Sequence, residues 1–284
     1  MLIETRDLRH TYMPGTPFQV EALKGISVKI EQGEFVGIIG ETGSGKSTFV
    51  QHLNGLLRPS SGKILLDGRN PWAGEIKLKK IRSSIALLFQ YPEHQLFEET
   101  VFKDVAFGPR SLGLEGDELE ERVRFGLELT GLDYKFYKDR SPFNLSGGEK
   151  RRVAMAGILA MKPEAVILDE PTAGMDPSGR RRLMDQIERF HKEENLTVIL
   201  VTHNMEEVSR LAKKLYVFSG GQLVLQGTPA EIFKNTALIR KIGLDLPPIT
   251  DLLHKLKKTG RNIRTDLFTL EEASREILHH YRGG

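Results

Sequence analysis

The sequence contains no cysteine, which excludes disulfides and thiolate metal sites and fits a reducing compartment. Long hydrophobic runs are also missing. The most apolar stretches, Met155 to Met161 and Val198 to Val201, fall far short of the roughly 20 residues a membrane helix needs. Nor is there an excess of one charge: 41 Lys and Arg face 38 Asp and Glu, a net of +3, which gives no broad cationic face for nucleic acid. The first residues, Met1 to Asp7, bring early acids and no apolar signal core. These absences predict a cytosolic chain that does not cross a bilayer by itself. With 284 residues, 39% hydrophobic, there is material for one large domain and a small appendage, or for two modest domains.

The residues Gly40-Glu41-Thr42-Gly43-Ser44-Gly45-Lys46-Ser47 form a complete phosphate-binding loop, G-x-x-x-x-G-K-S, followed by Thr48. An apolar run, Phe35 to Ile39, enters it, and an amphipathic segment with Phe49, Val50, Leu53, Leu56 and Leu57 leaves it. That order is strand, loop, helix. Glycines let backbone N–H groups converge on phosphate oxygens, and the helix start adds partial positive charge. Lys46 is then placed for the β/γ-phosphates, and the Ser47 hydroxyl for Mg2+.

From residue 1 to about 230, short β-rich runs alternate with helical stretches. Strands are expected at Ile26–Ile30, Phe35–Ile39, Lys63–Leu66, Ile85–Phe89, Ala165–Leu168, Thr197–Val201, Leu215–Phe218 and Leu223–Gln226. The runs at Phe35, Ala165 and Thr197 are apolar throughout, as in parallel strands covered on both faces, whereas the early and late strands suit a half-exposed antiparallel sheet. Residues 91–161 lack strands and carry helical patterning, Leu119, Val123, Leu127 and Leu129 first, then Val153, Ala156, Ile158, Leu159 and Ala160. The tail predicts two helices. One carries Ile249, Leu252, Leu253 and Leu256; the other opens on the capping box Thr269-Leu270-Glu271-Glu272 and carries Ala273, Ile277, Leu278 and Tyr281 on one face. So short a tail cannot build an independent core and is expected to dock.

Two further segments carry chemistry. Ala165 to Leu168 leads into Asp169-Glu170, an apolar strand ending in two carboxylates. Beside a phosphate loop, Asp169 suits Mg2+, and Glu170 suits the attacking water as general base. Leu145-Ser146-Gly147-Gly148-Glu149 opens a helix, with Ser146 as N-cap and two glycines leaving first-turn N–H groups uncovered. One chain therefore carries two phosphate-accepting helix starts about 100 residues apart.

Taken together, Gly40–Thr48, Gln90, Leu145–Glu149, Ala165–Glu170, Ala173-Gly174-Met175-Asp176 and His203 resemble an ATP-binding cassette (ABC) ATPase, over roughly residues 1 to 230. The resemblance implies an α/β fold, a P-loop NTPase (RecA-like) core with an N-terminal antiparallel β subdomain. It also implies a helical insertion subdomain at about 91–161 and a short helical C-terminal domain at 231–284, associated with dimerisation. ATP and Mg2+ are the implied cofactors. Two cassettes pair head to tail, so each ATP lies between one phosphate loop and the other protomer's Ser146, Gly147 and Gly148. Tyr12 resembles the aromatic that stacks on adenine, Gln90 the glutamine that touches Mg2+ and senses the transporter, and His203 the switch histidine at the γ-phosphate. Asp176 resembles the aspartate that bridges protomers, and is equally an N-cap before Pro177. Glu149 stands where Gln is commoner, and Met175 where Leu is usual; neither change removes a functional group.

A narrower similarity lies in Phe89 to Phe97 and Phe107 to Arg110, which look like the energy-coupling factor ATPases that power micronutrient uptake. Gln51 to Leu57, Arg140 to Phe143 and Gly15 to Phe18 are similar to the second of the two paralogues in that family. The resemblance implies a motor subunit at the cytoplasmic face of the membrane. Its partners would be a second ABC ATPase, identical or paralogous, a transmembrane coupling subunit docked near Tyr91 to Phe97, and a membrane subunit that captures a vitamin or transition metal. An ordinary importer ATPase is the nearest alternative, although the tail is too short and too helical for the β-barrel that several of those carry. A soluble cassette protein acting on nucleic acid or ribosomes fits less well, with one phosphate loop, no heptad array and no cysteine.

Overall fold

The computed structural model describes residues 3–282, with side chains through residue 280. Its centre is β3 (Phe35–Gly40), buried along its whole length. On one side β3 pairs in parallel with β7 (Thr197–Val201), and on the other with β8 (Lys214–Ser219). Two more parallel strands, β6 (Ala165–Asp169) and β5 (Ile85–Leu88), continue the sheet, and antiparallel β9 (Gln222–Gly227) closes the far edge. The order is β5-β6-β7-β3-β8-β9. A second sheet, order β2-β1-β4, joins β1 (Ile3–Tyr12) to β2 (Val20–Ile30) and β4 (Ser61–Leu66), both antiparallel to it.

The period-2 alternation of the central strands sorts their side chains into two cores. Phe35, Ile39, Leu88, Leu168, Leu200 and Val217 face the larger one. It is covered by α3 (Val101–Ser111), α4 (Gly116–Leu129), α6 (Gly147–Leu159) and α7 (Pro177–Glu193). Val36, Ile38, Ile167, Ile199 and Tyr216 face the other, filled by Phe49, Val50 and Leu53 of α1 (Lys46–Leu53) and by Leu8, Ile26 and Ile30 of the three-stranded sheet. Each such side chain contributes about 1.5–3 kcal/mol by leaving water. Helix α1 is therefore clamped between the two sheets, which fixes the loop in front of it.

Between β5 and β6 every regular element is helical: after α2 (Leu78–Ser84) and β5 come α3, α4, α5 (Tyr134–Tyr137) and α6. After α7 the chain adds α8 (Met205–Leu211), α9 (Pro229–Lys234), α10 (Thr236–Lys241), α11 (Pro248–Lys258) and α12 (Leu270–Arg282).

The structure departs from the sequence expectations in places. Strand β1 was not expected, because Glu4, Arg6, Asp7 and Arg9 interrupt its apolar alternation; register shifts accommodate them. The expected strand at Phe89 stops at Leu88. The late strand Leu215–Phe218 is buried and parallel, and only β9 is the half-exposed antiparallel edge. In the tail, Leu252 and Leu278 are exposed, not part of the packed faces. The side chain of Tyr281 lies outside the described residues. The tail does form a small cluster of its own, Leu253, Ile263, Leu267 and Ala273. It also docks, through Phe268 against Phe233 and the main core.

Candidate functional site

Register alone brings the distant motifs together. Leu88 pairs with Leu168, Asp169 with Val201, and Val201 with Ile38, so the parallel strands β5, β6, β7 and β3 end side by side. Just past those ends stand Gln90, Glu170, His203 and the loop from Gly40. This carboxyl edge of a parallel sheet is where α/β folds place ligands.

The loop is held by its own backbone. Ser44 N–H donates to Glu41 O at 3.1 Å, and Gly221 N–H donates to Ser44 O at 3.1 Å, tying the loop to the β8–β9 turn. Gly45 has φ +100°, and a Cβ there would meet Ala22 O at 2.7 Å, so only glycine lets the chain turn into α1 under the N-terminal sheet. Thr42 and Gly43 lie exposed at the loop's outer turn, whereas Ser44 is buried. Lys46 Nζ donates to Gly40 O at 2.8 Å and to Glu41 O at 2.9 Å. Burial lowers the Lys46 pKa, against the opposing pull of Glu170, Asp169 and Glu41. Burial likewise raises the Asp169 pKa, offset by a hydrogen bond from Ser47 and by the charge of Lys46. Lys46, Ser47 and Asp169 thus act on one another at this edge, with Asp169 buried, Lys46 half-buried and Ser47 open to solvent.

Glu170 follows directly, in a backbone conformation rare outside glycine (φ +49°). Such strain costs roughly 1–3 kcal/mol and persists only where surroundings enforce it. Here Glu170 N–H donates to Val201 O at 2.8 Å, and Ala173 N–H to Glu170 O at 3.1 Å. His203 Nδ1 approaches Glu170 Oε2 to 2.8 Å without the alignment of a hydrogen bond, and that oxygen is buried with no hydrogen-bond partner. An unsatisfied buried carboxylate oxygen at a phosphate-binding edge is suited to accept a proton or a water.

Tyr12 is 39% exposed at the end of β1, its hydroxyl 3.2 Å from Thr48 Oγ1 of α1. Beneath it, the His10 ring meets Tyr12 edge-on at 4.5 Å, and His52 Nε2 lies 3.1 Å from His10 Nδ1. Tyr12 therefore presents a partly open ring on a braced support.

The segment at Ser146 forms a complete capping box. Ser146 N–H donates to Glu149 Oε2 at 2.8 Å, and Glu149 N–H to Ser146 Oγ at 3.4 Å. Hydrogen bonds from Ser146 and from the Tyr137 hydroxyl hold Glu149 ionised, its pKa lowered to about 2. Gly147 and Gly148 are exposed, and a Cβ added at either would meet nothing within 4 Å. Around them lies a cavity of about 360 Å3 lined by α6, α7 and Met175, with no contribution from residues 40–47. Asp176 caps α7, accepting from Ser178 N–H at 3.2 Å and Gly179 N–H at 3.3 Å.

Two buried hubs went unnoticed in the sequence. Glu207, 7% exposed, accepts from Thr172 Oγ1 at 2.8 Å, Thr202 Oγ1 at 3.3 Å and Asn204 Nδ2 at 3.1 Å, bracketing His203. Arg151, 5% exposed, lies on α6 and reaches both the turn Pro92–Gln95 and the segment after Glu170. The available signal was one charged residue inside an otherwise apolar helix face; the partners, 58 residues away for Glu93, were not visible.

The fold and this edge define a P-loop nucleotide-hydrolysing cassette. The model of the ABC transporter family matches residues 23–173. The energy-coupling factor transporter ATP-binding protein EcfA2 of Clostridium perfringens is 51% identical over 282 residues, 99% of each chain. The protein of the same name from Clostridioides difficile is 50% identical, covering 100% of this chain and 99% of its own. Among solved structures, cbiO1 of Clostridium perfringens, described as part of the ABC transporter complex cbiONQ, superposes with TM-score 0.74 at 40% identity, over 89% of this chain and 98% of its own. The cassette MJ0796, dimeric and bound to ADP and Pi, superposes with TM-score 0.70 at 26% identity, over 80% of this chain and 98% of its own. The chain belongs to the ABC transporter ATPases, in the family of energy-coupling factor transporter ATP-binding proteins.

Proposed function

We propose that this chain is the ATP-hydrolysing motor subunit of an energy-coupling factor importer, acting as one half of a head-to-tail cassette pair. The observation that carries the pairing is the glycine pair Gly147 and Gly148. Their backbone is free of positive φ, and no neighbour in the chain would touch a Cβ. Nothing within this chain requires glycine there, whereas a phosphate approaching the first-turn N–H groups from another chain does.

In the composite site Lys46 and the loop N–H groups bind the phosphates, Tyr12 stacks on adenine, and Ser146 of the second cassette closes the pocket. Glu170 accepts the proton of the attacking water, and His203 beside it contacts the γ-phosphate. Asp176 meets the opposite protomer. The residues present fit a Mg2+ ion: Ser47, Asp169 and Gln90 are oxygen donors, and no group of three or more His, Cys, Asp or Glu forms a closed cage among the described residues. A Mg2+ ion bound by few protein ligands is shared with substrate phosphates and neutralises their charge.

A groove bordered by the turn Pro92–Gln95, just after Gln90, offers the exit for the motion. It is a cavity of about 470 Å3 lined by Arg82, Gln95, Phe97, Phe107, Ile158 and Met161 among others. Phe97 and Phe107, 58% and 56% exposed, meet edge-on at 5.1 Å on its wall. An apolar, aromatic groove of this size receives a helix of a transmembrane coupling subunit. No helix of the described residues is long and apolar enough to cross a membrane. In this reading the membrane subunits hold the chain at the cytoplasmic face. The solute, a vitamin or transition metal, is captured by another subunit.

Tagging the chain in its own cells and solubilising the membranes tests this. A second cassette and membrane subunits should co-purify; recovery with nucleic acid or ribosomes, and without membrane proteins, overturns the reading.

A further inference from the structure

The Arg151 guanidinium ties together two regions that the proposed cycle must couple. Its Nε donates to Glu93 Oε2 at 3.1 Å and its Nη2 to Glu93 Oε1 at 2.9 Å, a two-point fork onto the turn that borders the groove. Its Nη1 donates to the carbonyls of Pro171 and Ala173, both at 3.1 Å. These are the first and third residues after Glu170, on the way to Asp176. Side-chain exposure is 6% for Arg151 and 19% for Glu93, so the fork is largely shielded from water. Burial acts to raise the Glu93 pKa, but the hydrogen bonds and charge of Arg151 outweigh it and keep the carboxylate ionised.

We propose that Arg151 is a positioning residue that couples the groove-side turn Pro92–Gln95 to the conformation of Glu170. The inference rests on the reading of Glu170 as general base. The turn and the two carbonyls share one rigid planar group, so a displacement of Glu93 by a docked partner must move the guanidinium or break the fork. Either event alters the support of the segment that enforces the strained backbone at Glu170. Lysine cannot substitute, because a single ammonium lacks the planar fork that serves a carboxylate and two carbonyls together.

The test is a double-mutant cycle on the full chain with E93Q, R151K and the combined variant, reading kcat and KM for ATP, nucleotide Kd and thermal midpoint. Each single variant should keep Kd within about twofold and lose kcat on the order of 10- to 100-fold, the scale of an ångström-level misplacement. The combined variant should lose no more than the worse single one, because both changes break the same connection. Unchanged kcat in E93Q and R151K overturns the proposal, as does loss of kcat that only tracks loss of Kd or thermal midpoint. If R151K fails to fold, E93Q alone decides by the same split. A parallel E170Q variant should bind ATP and nearly stop turning over. Persistent turnover there removes the base assignment, and that outcome is read independently of the cycle.

Discussion

Below the nucleotide loop, His52 is 1% exposed, and burial lowers its imidazole pKa from 6.5 to about 4. In the unfolded chain the ring keeps its ordinary value near 6.5. Between those two values the unfolded state takes up a proton that the folded state refuses. Stability from this group is therefore complete above about pH 6.5, falls as pH drops toward about 4, and levels off below, a loss of at most about 3 kcal/mol. Burial shifts His10 in the same direction. Urea unfolding across that range should show a clearly flatter acid limb in H52Q than in the wild-type chain; equal slopes would refute the assignment. At this scale the sequence disclosed unequal amounts. Lys46, Ser47, Asp169 and Glu170 were readable because contiguous motifs carry them. His52, Glu207 and Arg151 were not, because their roles depend on neighbours that only the fold supplies. For His52 that neighbour is His10, 42 residues earlier.

Among the elements, α1 and α6 make an instructive pair, since both are proposed as anion-accepting helix starts but differ in what fixes them. The start of α1 is packed under the N-terminal sheet, and Gly45 is required by the chain's own backbone. The start of α6 is exposed, and Gly147 and Gly148 answer to no internal constraint. Alanine within the first turn raises helix propensity by up to about 1 kcal/mol over glycine. G148A should therefore leave the thermal midpoint unchanged or slightly raised while lowering ATP turnover at least about tenfold, the cost of roughly 1.4 kcal/mol at a phosphate contact. A stable variant with normal turnover would show that no phosphate approaches α6. Strands β3, β6 and β7 were legible as unbroken apolar runs, since burial on both faces leaves no polar position. Strand β1 escaped because its ladder tolerates Glu4, Arg6, Asp7 and Arg9 on the open side and across register shifts.

Across the whole molecule, the residues of the proposed site fall into two separate groups. The loop from Gly40, Asp169, Glu170 and His203 gather at one carboxyl edge. Ser146 borders a different cavity, lined by α6 and α7. The groove with Phe97 and Phe107 is also lined by Gln95 of the turn that follows Gln90, and the tail helices dock through Phe268. The α/β core was legible because alternating strands and helices dictate it; the tail's packing was not, since its apolar residues divide between a small cluster of their own and the main core. On the proposed pairing, two cassettes, identical or paralogous, would complete both sites at once, which would make ATP the bridge between protomers. The absence of native cysteine allows a direct measurement of that bridge. In an E170Q background, chains carrying T42C and chains carrying S146C are mixed and treated with a short bismaleimide, able to span a bound nucleotide, with and without Mg-ATP. The composite site predicts a cross-linked dimer that forms only with ATP. No cross-linked dimer with ATP, or dimer formation indifferent to ATP, would contradict it.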